Sequence, residues 1–413
     1  MGSEWKITTI GDFCPFKYGK GLPEKKRNSV GSVKVYGSNG PVGLHDQSLV
    51  NKPGIVIGRK GTVGSVHFAS EPFWPIDTTF YVTSEPGRDL QYTYYLLKTI
   101  GLEAMNADSA VPGLNRNAAH AQEILIPEYN EQRAIAHILG SLDDKIELNR
   151  RMNETLEQMA QAIFKSWFVD FDPVRDKSEG RDPGLPEEIA ELFPDGFEES
   201  EIGEVPRGWE VVRLPDIVKK YIDNRGKTPP TLEDGIPLLE VKHLPDNQMK
   251  PDLNTSKYVS EETYDSWFRS HLKSYDIILS TVGTIGRICI VPPNSKFVIA
   301  QNLLGIRFND EFVTPIFMYY QMSSEKFKND VDARLVITVQ KSIKRKDLIT
   351  IPLLKPPLNI QRAFDRMVSS NVLFQLPDEN ITLSKIRDTL LPKLISGELR
   401  VPDAENLVLE STI

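Results

Sequence analysis

The stretch GRKGTVGSV at residues 58–66 returns as STVGTIGRI at 280–288. A Gly-Thr-apolar-Gly turn spelled twice, more than two hundred residues apart, constrains the fold more than any other feature of the chain. A loop that serves one catalytic centre is needed once, so a second copy implies a second copy of the module that carries it. At 413 residues the chain has room for about two or three domains.

Further landmarks follow in the same order in both halves. WKITTIGD begins at Trp5 and WEVVRLPD at Trp209, each with an apolar residue five positions on and an Asp seven on. The apolar run GIVIG (54–58) leads into the first glycine turn and DIILS (276–280) into the second. Tyr94-Tyr95 in YTYYLLKT matches Tyr319-Tyr320 in IFMYYQMS, both in helix-like patterns. ILIPEYNEQRA (124–134) matches ITIPLLKPPLNIQRA (349–363), with four extra residues in the second.

After each Ile-Pro, strand alternation gives way to helical periodicity. Ile135, Leu142, Asn149, Leu156 and Ile163 recur every seven residues, with Ile138, Met152 and Met159 in the companion seam. That pattern predicts one heptad helix of about 39 residues and roughly 58 Å. The second region keeps Phe364, Met367, Asn371 and Phe374 and resumes at Leu383, Ile386, Leu390 and Leu394. Pro377 lies between them and predicts a kink or short gap, because a proline withdraws a helical hydrogen bond. Two long helices with apolar seams point to antiparallel pairing, with Asn149 fixing the register. A surface helix carrying a stray Asn is the plainer alternative.

The fold class expected is therefore α+β: two similar mixed α/β modules separated by two long antiparallel, coiled-coil-like helices. The boundaries are a first module at 1–128, a long helix at 129–168, a connector at 169–206, a second module at 207–356, a distal helix at 357–397 and a tail at 398–413.

A formal charge of -8 argues at first against nucleic acid. Residues 169–205 alone hold thirteen Asp and Glu against three Lys and Arg, a balance of -10, so the remainder sums to -8 + 10 = +2. The acid sits in the connector, where one short helix is expected at PEEIAELF, and the modules remain free to meet DNA. No apolar run approaches the roughly 20 residues that span a bilayer, and no basic and apolar leader opens the chain, which reads as cytoplasmic with no membrane partner.

Several chemistries lack their residues. Cys14 and Cys289 cannot form a zinc cage, and both read as small packed residues. His45, His67, His120, His137, His243 and His271 lack metal-ligand spacing, so no metal is expected. Neither glycine turn matches a Walker loop or a dinucleotide fingerprint. The turn reads structurally as glycines at positive φ between strands, and functionally as backbone N–H groups and flanking cations brought close to a phosphate or base edge; the two readings are compatible. No Asn-Pro-Pro-aromatic or Asp-Pro-Pro-Tyr loop of a base methyltransferase is present. An alternative is a Mg²⁺ nuclease using Glu240 and Lys242 with Asp223 and Asp234 upstream, although the first half has no equivalent.

Cations and amides crowd the loops instead. The first half offers Lys20, Lys25, Lys26 and Arg27, then Ser38 and Asn39, then Arg59, Lys60 and Thr62 at the turn. The second offers Arg225, Lys227 and Thr228, then Lys242 and His243, then Thr281, Thr284 and Arg287 at its turn, and Lys344. Asn115 and Arg116 in VPGLNR, and Gln340 and Lys341 in VITVQK, precede the Ile-Pro landmarks by similar distances and are the favoured candidates. Lys and Arg neutralise phosphates, and Arg, Asn and Gln make bidentate contacts with base edges.

With these residues in view, the chain resembles the specificity (S) subunits of type I restriction-modification systems. The resemblance covers nearly the whole chain and is most specific in IPEYNEQRAIAHILGSLDDKIELNRRMNETLEQMAQAIFKSWFVDFDP, GLPEEIAELFPDGFEESEIGEVPRGWEV and RDTLLPKLISGELRV, with KVYGSNGPVG as a further match. It implies two target-recognition domains joined by antiparallel helices and related by pseudo-two-fold symmetry, and a double-stranded DNA partner. It implies methyltransferase subunits docked on the helices, in two copies, and a restriction subunit in the larger complex. The target would be bipartite and asymmetric with a spacer set by the helices. S-adenosylmethionine would sit on the partner methyltransferase, which methylates adenine, and this chain would bind no cofactor and catalyse nothing. A coiled-coil scaffold that never meets DNA is the remaining alternative.

Overall fold

The computed structural model describes residues 5–28, 30–105, 113–224, 228–246, 248–335, 341–368 and 370–411, with the backbone alone for 370–374, 406 and 408–411. The first stretch holds strands β1 (Lys6–Thr9), β2 (Lys17–Tyr18), β3 (Val33–Gly37), β4 (Gly40–His45), β5 (Gly54–Gly58), β6 (Val66–Ala69), β7 (Phe73–Pro75), β8 (Thr79–Thr83) and β9 (Glu123–Ile126). Among them lie helices α1 (Ile10–Phe13), α2 (Leu90–Thr99) and α3 (Arg116–Ala121), and the 40-residue helix α4 (Tyr129–Phe168) follows. Then come α5 (Asp172–Ser178), α6 (Glu187–Ala190), and the β10 (Phe197–Ser200) and β11 (Gly203–Pro206) hairpin.

The second stretch holds β12 (Glu210–Val212), α7 (Leu214–Ile217), β13 (Val218–Asp223), β14 (Ile236–Leu239), β15 (Tyr258–Val259), α8 (Glu261–Trp267), β16 (Ile277–Ser280), β17 (Ile288–Ile290), β18 (Val298–Ile299) and β19 (Leu303–Phe308). It continues with α9 (Pro315–Ser323), α10 (Glu325–Asp332), α11 (Arg345–Leu348) and β20 (Leu353–Lys355), and ends in α12 (Leu358–Val368), α13 (Ser370–Ser396) and α14 (Val401–Ser411). Two compact units result: unit 1 is residues 1–148 with 380–413, and unit 2 is residues 149–379.

The units share one topology. Unit 1 has a four-stranded sheet β2-β8-β5-β6, a three-stranded sheet β4-β3-β7 and the pair β1-β9; unit 2 has β13-β19-β16-β17, β15-β14-β18 and β12-β20 in the same roles. The parallel contact recurs as well, between β3 and β7 and between β14 and β18. The apolar runs GIVIG and IILS form β5 and β16, each with a neighbour on both sides and every residue buried. Successive side chains of a strand point to opposite faces. Ile55 and Ile57 therefore enter the helix-side core while Val56 packs with Tyr36 and Phe73, and Ile277 and Leu279 are likewise divided from Ile278.

The glycine turns close with the same bond. Gly64 N–H donates to Gly58 O at 2.8 Å and Gly286 N–H to Ser280 O at 3.1 Å. Gly61, Gly64, Gly283 and Gly286 have φ of 81°, 78°, 84° and 82°, which L side chains rarely adopt. A Cβ on Gly64 would also meet Glu103 N at 2.3 Å, so this glycine is required twice over.

Strand register corrects the Ile-Pro alignment. Lys6 pairs with Ile126 and Glu210 with Lys355, so the counterpart of Pro127 is Pro356 and the four extra residues disappear. The next residues agree: Gln132 Nε2 donates to Pro127 O at 3.0 Å, and Gln361 Nε2 to Pro356 O at 2.7 Å.

In unit 1, α4 packs antiparallel to α13: Arg387 pairs with Asp143 at 2.6 Å, Asn380 Nδ2 donates to Ile146 O at 3.2 Å, and Ile135 and Leu142 share a core with Leu390 and the partly buried Ile386. In unit 2, Asn149 is fully buried and donates to Glu379 at 3.0 Å, Leu156 and Ile163 are partly buried, and Phe164 packs on the fully buried Phe364. The companion seam holds at Ile138, which is buried, and differs from expectation beyond it. Met152 and Met159 are 42% and 55% exposed, whereas Leu139, Ala160 and Trp167, four residues beyond the heptad positions, are buried. Met367 is also exposed, at 38%, and the side chain of Asn371 lies outside the described residues. The gap expected at Pro377 is not found: Ser370–Ser396 is helical with Pro377 inside it. The acidic connector joins the core of unit 2 through Val174, Phe193 and Val205.

Candidate nucleic-acid interface

In unit 1 the turn after β5 and the loop before α3 meet. Arg59 N–H donates to Thr78 O and Leu114 N–H to Arg59 O, both at 2.9 Å. A Cβ on Gly113 would stand 3.3 Å from Arg59 O, so the loop lies directly on the turn. Asn115 then caps α3, its Oδ1 accepting Asn117 and Ala118 N–H at 3.0 and 3.2 Å. This places Arg116 at the first helical position, with its guanidinium 4.8 Å from the centroid of the Tyr18 ring. Arg59 stands 5.4 Å from the same ring and 5.9 Å from Phe80.

Tyr18 is half exposed, and among the described residues neither guanidinium has an ion-pair or hydrogen-bond partner. Burial, and then the charge of Arg116, hold His120 below its ordinary pKa, and its Nε2 accepts Phe16 N–H at 2.9 Å. The nearby histidine is thus a neutral structural acceptor. Lys60 and Thr62 are exposed at the tip of the turn, as is Asn39 at the β3–β4 hairpin. Lys20, Lys25 and Lys26 are also exposed, with Lys20 anchored through its carbonyl to Trp74 Nε1 at 2.8 Å.

Unit 2 repeats this contact with other side chains. Ile343 N–H donates to Thr281 O at 3.0 Å and Gly283 N–H to Lys341 O at 3.1 Å. Lys344 is the residue before α11, and Arg345 at its first position lies 4.9 Å from the Tyr221 ring. Burial raises the Tyr221 pKa, and Arg345 opposes that rise. Thr284, Lys341 and Lys344 are exposed, and Thr281 donates to Asn302 O at 3.2 Å. Thr228 is exposed, while Arg225, Lys227 and Gln340 lie outside the described residues.

Four candidates serve the fold instead. Arg287 donates to Leu244 O at 3.2 Å and pairs with Asp246 at 3.1 Å, fixing the 244–246 loop. His243 is 4% exposed and its Nδ1 accepts Glu240 N–H at 2.8 Å, so no edge is left for DNA. Ser38 is buried and donates to Thr78 O at 2.7 Å. Arg27 is bound through Nη2 to Leu22 O at 3.2 Å. Tyr18, Tyr221 and Arg345 escaped the sequence reading, although Tyr18 and Arg345 flank residues it selected.

The nuclease reading fails on geometry. Glu240 faces Lys257 at 2.7 Å and Lys242 at 3.4 Å, and the Lys257 hydrogen bond leads in holding its carboxyl below the usual pKa. Protein cations already occupy the place a Mg²⁺ ion would take. Among the described residues no group of three or more His, Cys, Asp or Glu gathers as a metal site. Both cysteines are fully buried, and burial pushes the Cys14 thiol up to about 12, so it is no nucleophile. No helix among the described residues is long and apolar enough to cross a membrane.

Residues 2–158 and 206–367 match the family described as Type I restriction modification DNA specificity domain. The chain belongs to this family. Among similar proteins is the Type I restriction enzyme HindI specificity subunit of Haemophilus influenzae, 28% identical over 72% of this chain and 73% of that one. The MjaIX specificity subunit of Methanocaldococcus jannaschii is also 28% identical, over 84% of this chain and 78% of that one. A crystal structure of the S subunit of a type I system from M. genitalium shares the fold, with a TM-score of 0.60, 18% identity, and 95% and 96% of the two chains covered.

As a type I specificity subunit, the chain is the DNA-recognition component of its system and is not a catalyst. That identity removes the scaffold alternative.

Proposed function

We propose that this chain recognises an asymmetric, bipartite DNA target, one half-site per unit, and docks methyltransferase subunits that methylate adenine. The observation that carries the reading is the turn-and-loop contact, which shares its main backbone hydrogen bonds between the units and differs in side chains. Arg59, Lys60 and Asn115 in unit 1 stand where unit 2 has Thr281, Val282 and Lys344. One backbone plan with two sets of side chains suits two unlike half-sites.

Lengths of α4 and α13 would set the spacer, because both helices run through the two units. The exposed Met152 and Met159, seven residues apart on α4, supply an apolar stripe for the methyltransferase, in two copies. S-adenosylmethionine and the pocket for the extruded adenine belong to that partner. A restriction subunit completes the complex, and the cytoplasm is its proposed location.

Methylome sequencing of cells with and without the chain tests the target: a bipartite adenine-methylated motif should vanish on deletion. Inserting one heptad into both helices should then change the spacer and leave both half-sites intact. An unchanged spacer counts against the helices as the ruler.

A further inference from the structure

We propose that Arg116 in unit 1 and Arg345 in unit 2 each read a guanine, held in plane by a tyrosine ring, so that each half-site contains a guanine. The inference rests on the two-reader function proposed above and adds the identity of one base on each side.

The two arginines are counterparts by backbone geometry. Leu114 N–H donates to Arg59 O and Ile343 N–H to Thr281 O, at 2.9 and 3.0 Å, and in each unit the arginine follows two residues later at the first position of a short helix. Around them the side chains differ, yet the arginine and its aromatic support are kept, at 4.8 Å from Tyr18 and 4.9 Å from Tyr221. The support comes from different strand positions. Tyr18 lies opposite Phe80 on β8, whereas Tyr221 lies opposite Ile306 on β19, two residues from the register of Tyr18.

Structural arginines of this chain look otherwise. Arg307 binds both oxygens of Asp276 at 2.8 and 2.7 Å, and Arg287 is tied to Asp246. Arg116 and Arg345 have no carboxylate partner among the described residues, and the Nε of Arg116 is buried. The outward edge of Arg116 is therefore the one bearing the two Nη groups. That fork matches the O6 and N7 acceptors of guanine in the major groove; adenine presents an amino donor beside its N7, and cytosine presents only a donor. A phosphate accepts donors from many directions and can be met by the exposed lysines as point charges, so it does not require a guanidinium plane fixed over a ring.

The test uses the full chain assembled with its methyltransferase subunits and duplexes carrying the methylome-defined target, with each guanine replaced in turn by 7-deazaguanine. One replacement in each half-site should weaken binding about tenfold, because it deletes the N7 acceptor. Arg116→Ala and Arg345→Ala should each abolish that sensitivity in one half-site and relax base choice there, and Arg116→Lys should do the same. Tyr18→Phe should retain selectivity and Tyr18→Ala should lose it. The scan on the unaltered complex stands even if a variant misfolds. Insensitivity of either half-site to every 7-deazaguanine, or uniform weakening across all sequences in Arg116→Ala, overturns the assignment while target recognition stands. A complex with no sequence preference overturns both readings.

Discussion

The side-chain oxygen of Gln361 accepts the backbone N–H of Thr314 at 2.9 Å, while its amide nitrogen donates to Pro356 O at 2.7 Å and Phe312 O at 3.2 Å. Gln361 is fully buried at the start of α12 and binds that helix to the cap of α9. Gln132 does the same in unit 1, accepting Asp89 N–H at 3.1 Å beside the cap of α2. Gln361→Met keeps the volume and leaves these buried groups unpaired, which should destabilise the chain by about 1–3 kcal/mol in chemical denaturation. Gln132→Met should act similarly. A loss under about 0.5 kcal/mol would mean that water replaces the amide without penalty.

Thr314 also donates through its hydroxyl to Asp365 at 3.1 Å. Burial pushes the Asp365 carboxyl from 3.8 up to about 7, against the pull of that hydrogen bond and of Arg362 and Arg366. A carboxyl raised on folding contributes stability that is complete below its unfolded value and is lost as pH rises through the folded one. Asp365→Asn should therefore melt higher than the parent above about pH 7, with the difference shrinking to nothing near pH 4. Parallel thermal melts across that range decide the matter; a constant difference at all pH values would assign the effect to packing.

Legibility followed the range of the interactions. The duplicated modules, the long first helix and the buried strands before each glycine turn were readable, because backbone geometry and local periodicity write them into neighbouring residues. The companion seam was readable at Ile138 but not beyond it, since Asn153 and Ala160 lie on the packed side while the more apolar Met152 and Met159 face outward. Hydropathy favoured the wrong neighbour by one position. Among the site residues, cations were visible but their partners were not: Arg287 meets Asp246, far away in the chain, and only the fold discloses that pair. Tyr18 escaped because a ring lying under an arginine has no local signature.

The two faces of α4 should separate stability from assembly. Leu142, 4% exposed in the unit 1 core, should cost about 2–5 kcal/mol when changed to Ala. Met152→Lys with Met159→Lys should stay within about 0.5 kcal/mol of the parent, because both side chains already face outward. The same double variant should retain at least about tenfold less methyltransferase subunit in co-purification, as expected when apolar anchors are removed from an interface. Normal assembly would move the docking surface elsewhere.

Exposed lysines and stacked arginines should answer salt and sequence differently. Lys25 and Lys26 sit in one exposed turn, and their ammonium groups have no hydrogen-bond or ion-pair partner among the described residues, which suits phosphate neutralisation. Each phosphate contact contributes about 0.9 to the slope of log affinity against log salt on duplex DNA, through release of condensed counterions. Replacing both lysines by Ala should reduce the steepness by about 2 and weaken target and scrambled duplexes alike. Arg116→Ala, by contrast, should alter preference among sequences more than it alters the slope. Anisotropy titrations of the assembled complex between about 50 and 200 mM salt measure both quantities. If the lysine variant kept the parent slope, its side chains would be solvated surface and the phosphate contacts would have to lie on another loop.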